Sequence, residues 1–115
     1  MSVIIYHNPR CSKSRQTLAL LEENAVQPEV IEYLKTPVDA ATLDSLIKKL
    51  GFESAHQLVR NKETIYKELG LTKDSDEHTL RQAMIENPKL IERPIVVNGD
   101  KAALGRPPES VLEII

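Results

Sequence analysis

A short, largely β-branched run, Val3-Ile4-Ile5-Tyr6, leads into an amphipathic stretch from Ser12 to Asn24, and a second strand-like segment, Glu29 to Tyr33, follows the break at Pro28. The first run suits a buried parallel strand, and Leu18, Leu21 and Ala25 recur at helical spacing in the stretch behind it. Strand, helix and strand in this order read as a βαβ unit. Its crossover is right-handed in nearly all cases, so the first two strands are expected to be parallel neighbours in one sheet.

Thr36-Pro37 interrupts the chain, and Asp39 is placed to cap a helix whose Leu43, Leu46, Ile47 and Leu50 form one apolar stripe, ended by Gly51. Shorter helical pieces are expected over Ser54 to Val59 and over Glu63 to Leu69, the latter stopped by Gly70. Another begins near Asp76 and carries Leu80, Ala83 and Met84 inward as far as Asn87-Pro88. Then the period changes. Ile95-Val96-Val97 and Lys101-Ala102-Ala103-Leu104 flank Asn98-Gly99-Asp100, a hairpin signal. Pro107-Pro108 opens a last helix through Val111, Leu112 and Ile115. The order βαβ, helical insertion, ββα describes an α/β chain with a four-stranded mixed sheet. This is the thioredoxin-like arrangement, as a single domain over residues 1–115.

Bulk properties narrow the function. The 115 residues are enough to bury a core without staples, and 15 basic against 17 acidic residues exert no global pull toward nucleic acid. One cysteine excludes an internal disulfide and any zinc cage built from several cysteines, so no metal is expected and the compartment is expected to be reducing. The apolar stretch Val3 to Tyr6 is too short for a signal h-region, and no later run approaches a membrane span. A cytoplasmic monomer without membrane or nucleic-acid partners is the expectation.

That cysteine, Cys11, stands between the first strand and the first helix, in His7-Asn8-Pro9-Arg10-Cys11-Ser12-Lys13-Ser14-Arg15. The free amides of a helix's first turn and the positive end of its dipole favour the thiolate. Such sites, with cations nearby, bring a thiol from about 8.5 to roughly 3.5–7.5. A buried apolar role is the other reading of a free cysteine. The polar and cationic neighbours argue against it. Ser14 replaces the second thiol of a Cys-x-x-Cys pair, so oxidised Cys11 must be rescued by another molecule. Ser14 itself either donates to the thiolate or merely continues the helix start. His7 is either a protonated partner that favours the thiolate or a loop histidine with backbone partners.

Arg93-Pro94 directly precedes the third strand, where proline cannot donate a ladder bond. Thioredoxin-like folds carry a cis-proline here, beside the active cysteine, which would deliver Arg93 to Cys11. Arg106 follows the hairpin, and Arg60 precedes a polar break in the insertion. Each arginine alone reads as solvated surface, but together they read as a clamp for a tetrahedral anion, whose oxygens guanidinium forks match. The tyrosine-phosphatase spacing Cys-x5-Arg fails, because that position is Thr17.

Tyr6-His7-Asn8-Pro9-x-Cys11-x-x-Ser14-Arg15, Arg93-Pro94-Ile95-Val96-Val97 and Arg106-Pro107 carry a family likeness that runs from Ile5 to Ile114. The chain resembles the glutaredoxin-coupled arsenate reductases, the ArsC family, and especially their short YfgD-like members. The resemblance implies that Cys11 thiolate attacks arsenic in arsenate, with His7 and Ser14 at the catalytic cysteine and Arg60, Arg93 and Arg106 holding oxygens. Glutathione, a co-substrate rather than a bound cofactor, then attacks the adduct, and glutaredoxin resolves the product and releases arsenite. Where characterised reductases have Gly-Thr, this chain has the bulkier Ser12-Lys13. Two alternatives share the fold: a regulator like the Spx proteins that bind RNA polymerase, and a glutathione-linked thiol oxidoreductase with another substrate. The regulators usually carry the Cys-x-x-Cys switch that Ser14 removes.

Overall fold

The computed structural model describes residues 3–115, which form two compact units. One comprises the residues up to Thr36 together with Arg93–Ile115, and the other is the inserted Pro37–Glu92.

The first unit holds a four-stranded mixed sheet of order β2-β1-β3-β4: β1 (Val3–Tyr6), β2 (Glu29–Ile31), β3 (Ile95–Asn98) and β4 (Lys101–Leu104). β1 is parallel to β2, with Tyr6 beside Ile31, and antiparallel to β3, with Tyr6 beside Ile95. β3 and β4 form the hairpin, with Ile95 opposite Leu104. This is the thioredoxin-like topology, and its register has a direct consequence. The residues leaving β1, entering β3 and leaving β4 all emerge at one end of the sheet.

Helix α1 (Ser12–Glu23) covers the sheet, with Leu21, Ile5, Val96 and Val111 fully buried at the centre and Leu18, Val26 and Ala103 packed around them. The inward face of α1 is Ser14, Thr17 and Leu21. Ala25, expected on the helix stripe, instead lies beyond it at φ +62°. There the Ala25 N–H bonds to Glu22 O and the Val26 N–H to Leu21 O, satisfying orphan carbonyls in a Schellman closure.

Two further elements depart from the sequence pattern. β2 stops at Ile31 rather than Tyr33, because the Glu32 carbonyl accepts the Lys35 and Thr36 N–H groups in a turn, each at 2.9 Å. The last helix is 3₁₀ over Pro108–Glu113. Three residues per turn place Pro108, Val111 and Ile114 on the inner side, leaving Leu112 and Ile115 exposed.

The second unit is helical: α2 (Ala40–Lys49), α3 (Thr64–Glu68) and α4 (Glu77–Glu86), with α2 packed on α4. Asp39 and Asp76 cap α2 and α4 by accepting the Thr42 and Thr79 N–H groups at 2.8 and 2.7 Å. The expected helix at Ser54–Val59 shrinks to a 3₁₀ turn, Ala55–Gln57, because Val59 forms an antiparallel bridge with Ile91. Among the described residues no helix is long and apolar enough to cross a membrane.

Candidate active site

The loop between β1 and α1 is tied at several points. His7 N–H donates to Ile31 O at 2.8 Å, which extends the β1–β2 pairing by one residue. Asn8 Oδ1 accepts the Arg10 N–H at 3.0 Å, an Asx turn, and Asn8 O accepts the Cys11 N–H at 3.0 Å. Arg15 Nη1 donates to Pro9 O at 2.9 Å. These bonds hold Cys11 in extended backbone, φ −93° and ψ 123°, at the N-cap of α1.

Burial opposes ionisation of the Cys11 thiol. The N–H of Ser14, the hydrogen bond and charge of the Arg93 guanidinium, and the N–H of Lys13 outweigh it and hold the thiol below its ordinary range. Arg106 Nη2 stands 3.8 Å from Cys11 Sγ, and Arg106 Nε donates to Arg93 O at 2.7 Å. Thus Arg93 and Arg106 meet at the sulfur, as the sheet register requires. The Arg93-Pro94 bond is cis, and so is Arg106-Pro107.

Loss of the Arg93 charge raises the thiol pKa. In the interval between the two midpoints, Arg93→Ala is therefore expected to react with iodoacetamide more slowly than the wild type. The pH dependence of alkylation measures this directly, and a midpoint unmoved by Arg93→Ala would contradict the role given to its guanidinium.

His7 and Ser14 act on each other. Ser14 Oγ accepts the Asn8 N–H at 3.0 Å and meets His7 Nδ1 at 2.9 Å, with all three residues buried. Burial lowers the His7 pKa against the opposing charge of Glu32, and Arg15 lowers it further. Burial therefore favours the neutral ring at His7. That goes against the protonated partner expected beside the sulfur, and the Ser14 hydroxyl has His7 Nδ1 and the Asn8 N–H as its partners. It is the Ser14 backbone N–H that serves the sulfur.

Arg60 lies in the helical unit. The Val59–Ile91 bridge and the Arg60 N–H to Leu90 O bond, 2.7 Å, set it beside Glu92, with Nη1 to Glu92 Oε1 at 2.8 Å and Nε to Glu63 Oε2 at 3.6 Å. Its charge is met by two carboxylates of its own unit. No cluster of metal-ligating side chains occurs among the described residues.

Gly105, which the sequence reading passed over, supports this site. Its N–H donates to Pro94 O at 3.0 Å, and a Cβ on it would lie 2.7 Å from Pro94 Cγ and overlap Thr17 Oγ1. Thr17 is fully buried on α1 and donates to Lys13 O at 2.8 Å. A glycine at a strand end, next to Arg106-Pro107, was the available signal for such a close approach.

The model of the ArsC family matches residues 6–114. The uncharacterized protein YfgD of Escherichia coli is 64% identical over 114 residues, covering 98% of this chain and 96% of that one. An arsenate reductase of Haemophilus influenzae is 53% identical, covering all of both chains. The structure of an arsenate reductase from Vibrio cholerae superposes with a TM-score of 0.96 at 52% identity, over 100% of this chain and 98% of that one.

Proposed function

From the premise that the chain belongs to the ArsC family, we propose that it reduces arsenate to arsenite through a covalent adduct on Cys11, with glutathione and glutaredoxin as reductants. The observation that carries this reading is the Cys11 sulfur, held at a helix N-terminus with Arg106 Nη2 at 3.8 Å and the Arg93 guanidinium as a further donor. The same donors that favour a thiolate suit a tetrahedral oxyanion brought against it.

In the proposed sequence the Cys11 thiolate attacks As(V), and a hydroxyl oxygen leaves as water. Reduction to As(III) then needs two electrons. Cys11 has no second thiol to pair with, so two external thiols supply them and end as one disulfide, while Cys11 returns to its thiol form. Arsenate and two thiols thus yield arsenite, a disulfide and water. Glutathione attacks the adduct first, and glutaredoxin resolves the glutathione-bound species. Arg60, the third arginine of the expected clamp, is paired with Glu92 and Glu63 within its own unit and is given no step here. The protein acts as a cytoplasmic monomer in this reading.

The test is arsenite formation by the purified protein with glutathione and glutaredoxin. Multiple turnovers are expected with both present. Arsenate, but not sulfate, is expected to protect Cys11 from iodoacetamide. Arsenite no faster than in a protein-free blank would overturn the proposal.

A further inference from the structure

Between the end of β1 and the start of α1 the chain carries peptide N–H groups at His7, Asn8, Arg10 and Cys11, Pro9 having none. Each has a partner within the sheet unit: His7 N–H on Ile31 O, Asn8 N–H on Ser14 Oγ, Arg10 N–H on Asn8 Oδ1 and Cys11 N–H on Asn8 O. The loop therefore spends its own donors elsewhere than on the sulfur. What it does for Cys11 is to seat it against the amides of Lys13 and Ser14, which bear on the thiol from α1.

All but the first of those bonds begin or end on Asn8, which is itself buried. Asn8 O and the Cys11 N–H close a turn over Asn8-Pro9-Arg10-Cys11, with asparagine and proline at the first two positions, where a type I turn favours them. Arg10, at the third, stays out of the positive-φ region that a type II turn would demand. The side-chain Oδ1 of Asn8 adds a second closure on the Arg10 N–H, at 3.0 Å. Without that oxygen the Arg10 amide turns to water, and the bend before Cys11 keeps one closure in place of two.

We propose that Asn8 is a positioning residue for the nucleophile: its side-chain carbonyl fixes the Asn8–Cys11 turn and, through that turn, the seat of the Cys11 sulfur on the first amides of α1. This role rests on the arsenate-reduction reading only in taking Cys11 as the nucleophile. Asn8 acts through the backbone of Arg10 and Cys11, and its loss leaves Arg93 and Arg106 in the chain as donors to the sulfur. A change in the thiol then reports a change of seat rather than a missing charge.

Alanine and serine at position 8 remove similar volumes and keep both peptide groups of the residue, but only serine offers a side-chain oxygen, which closes the same kind of turn more weakly. The pH midpoint of Cys11 alkylation by iodoacetamide, read together with thermal unfolding, separates positioning from packing. In Asn8→Ala the midpoint is expected to rise by about one pH unit, the share of one amide donated to an ionised acceptor. In Asn8→Ser a rise of about half a unit is expected, since part of the closure returns. A lowered melting temperature with wild-type midpoints would make Asn8 a merely structural residue and overturn the assignment. Equal rises in the two variants would overturn it as well, because the lost oxygen would not be the cause. Should Asn8→Ala fail to fold, Asn8→Ser against the wild type decides: a raised midpoint supports the role, and an unmoved one overturns it. Arsenite formation enters none of these readings, so its failure would sink the proposed reaction while the alkylation profile still decided the role of Asn8.

Discussion

Cys11→Ser is expected to abolish arsenite formation while making the fold slightly more stable. Removing the nucleophile of other covalent catalysts costs about 10³-fold or more, because no other step forms the intermediate. Here the serine hydroxyl stays protonated among the same donors, and the thiolate is gone. Stability should move the other way. Position 11 is the N-cap of α1, and serine is among the best N-cap residues, its oxygen accepting an N–H of the first turn. Arsenite assays and thermal unfolding on the same preparation check both halves. Turnover within tenfold of wild type would remove Cys11 from the chemistry, and unfolding of the variant would show that the cysteine holds the loop.

Gly105→Ala is expected to damage the site from behind, without touching any reacting atom. The added methyl meets Pro94 Cγ at 2.7 Å and overlaps Thr17 Oγ1, and both neighbours are buried. Something must shift: either Pro94, which carries Arg93 with it, or Thr17 together with the first turns of α1. Overpacking of this kind costs about 1–3 kcal/mol in stability. Because Arg93 and the amides of Lys13 and Ser14 all bear on Sγ, kcat/KM for arsenate is expected to fall at least about tenfold, the size of a 1.4 kcal/mol loss. Adding Thr17→Ala removes the nearer obstacle and should restore part of both losses, a coupling expected of residues in contact. A Gly105→Ala protein with wild-type melting temperature and activity would show that the backbone yields there freely.

Local chemistry made several elements legible before any fold was known. Asp39 and Asp76 announce α2 and α4 because a cap is decided by a side chain and an amide three residues apart. The Asn98-Gly99-Asp100 turn announces β3 and β4 for a similar reason. Where tertiary demands compete, the pattern misleads. Val59 abandons a helical piece to bridge Ile91, and the closing segment adopts a threefold repeat that turns Leu112 and Ile115 to solvent. Ala25 ends α1 instead of joining its apolar side.

For the site, the chain of residues alone determined the candidate nucleophile, its place at a helix start and the lack of a second thiol, since these follow from neighbours in sequence and from a count of one cysteine. Only the tertiary structure decided which groups face the sulfur. The register that sets Tyr6 beside Ile95, and Ile95 opposite Leu104, brings the segments holding Cys11, Arg93 and Arg106 to one sheet end, although they are remote along the chain. It also gave the Ser14 hydroxyl to His7 and Asn8, paired Arg60 with Glu92 and Glu63, and left room at position 105 for no side chain. Such outcomes depend on which buried polar groups find partners and which surfaces meet, and those are properties of packed distances rather than of residue spacing.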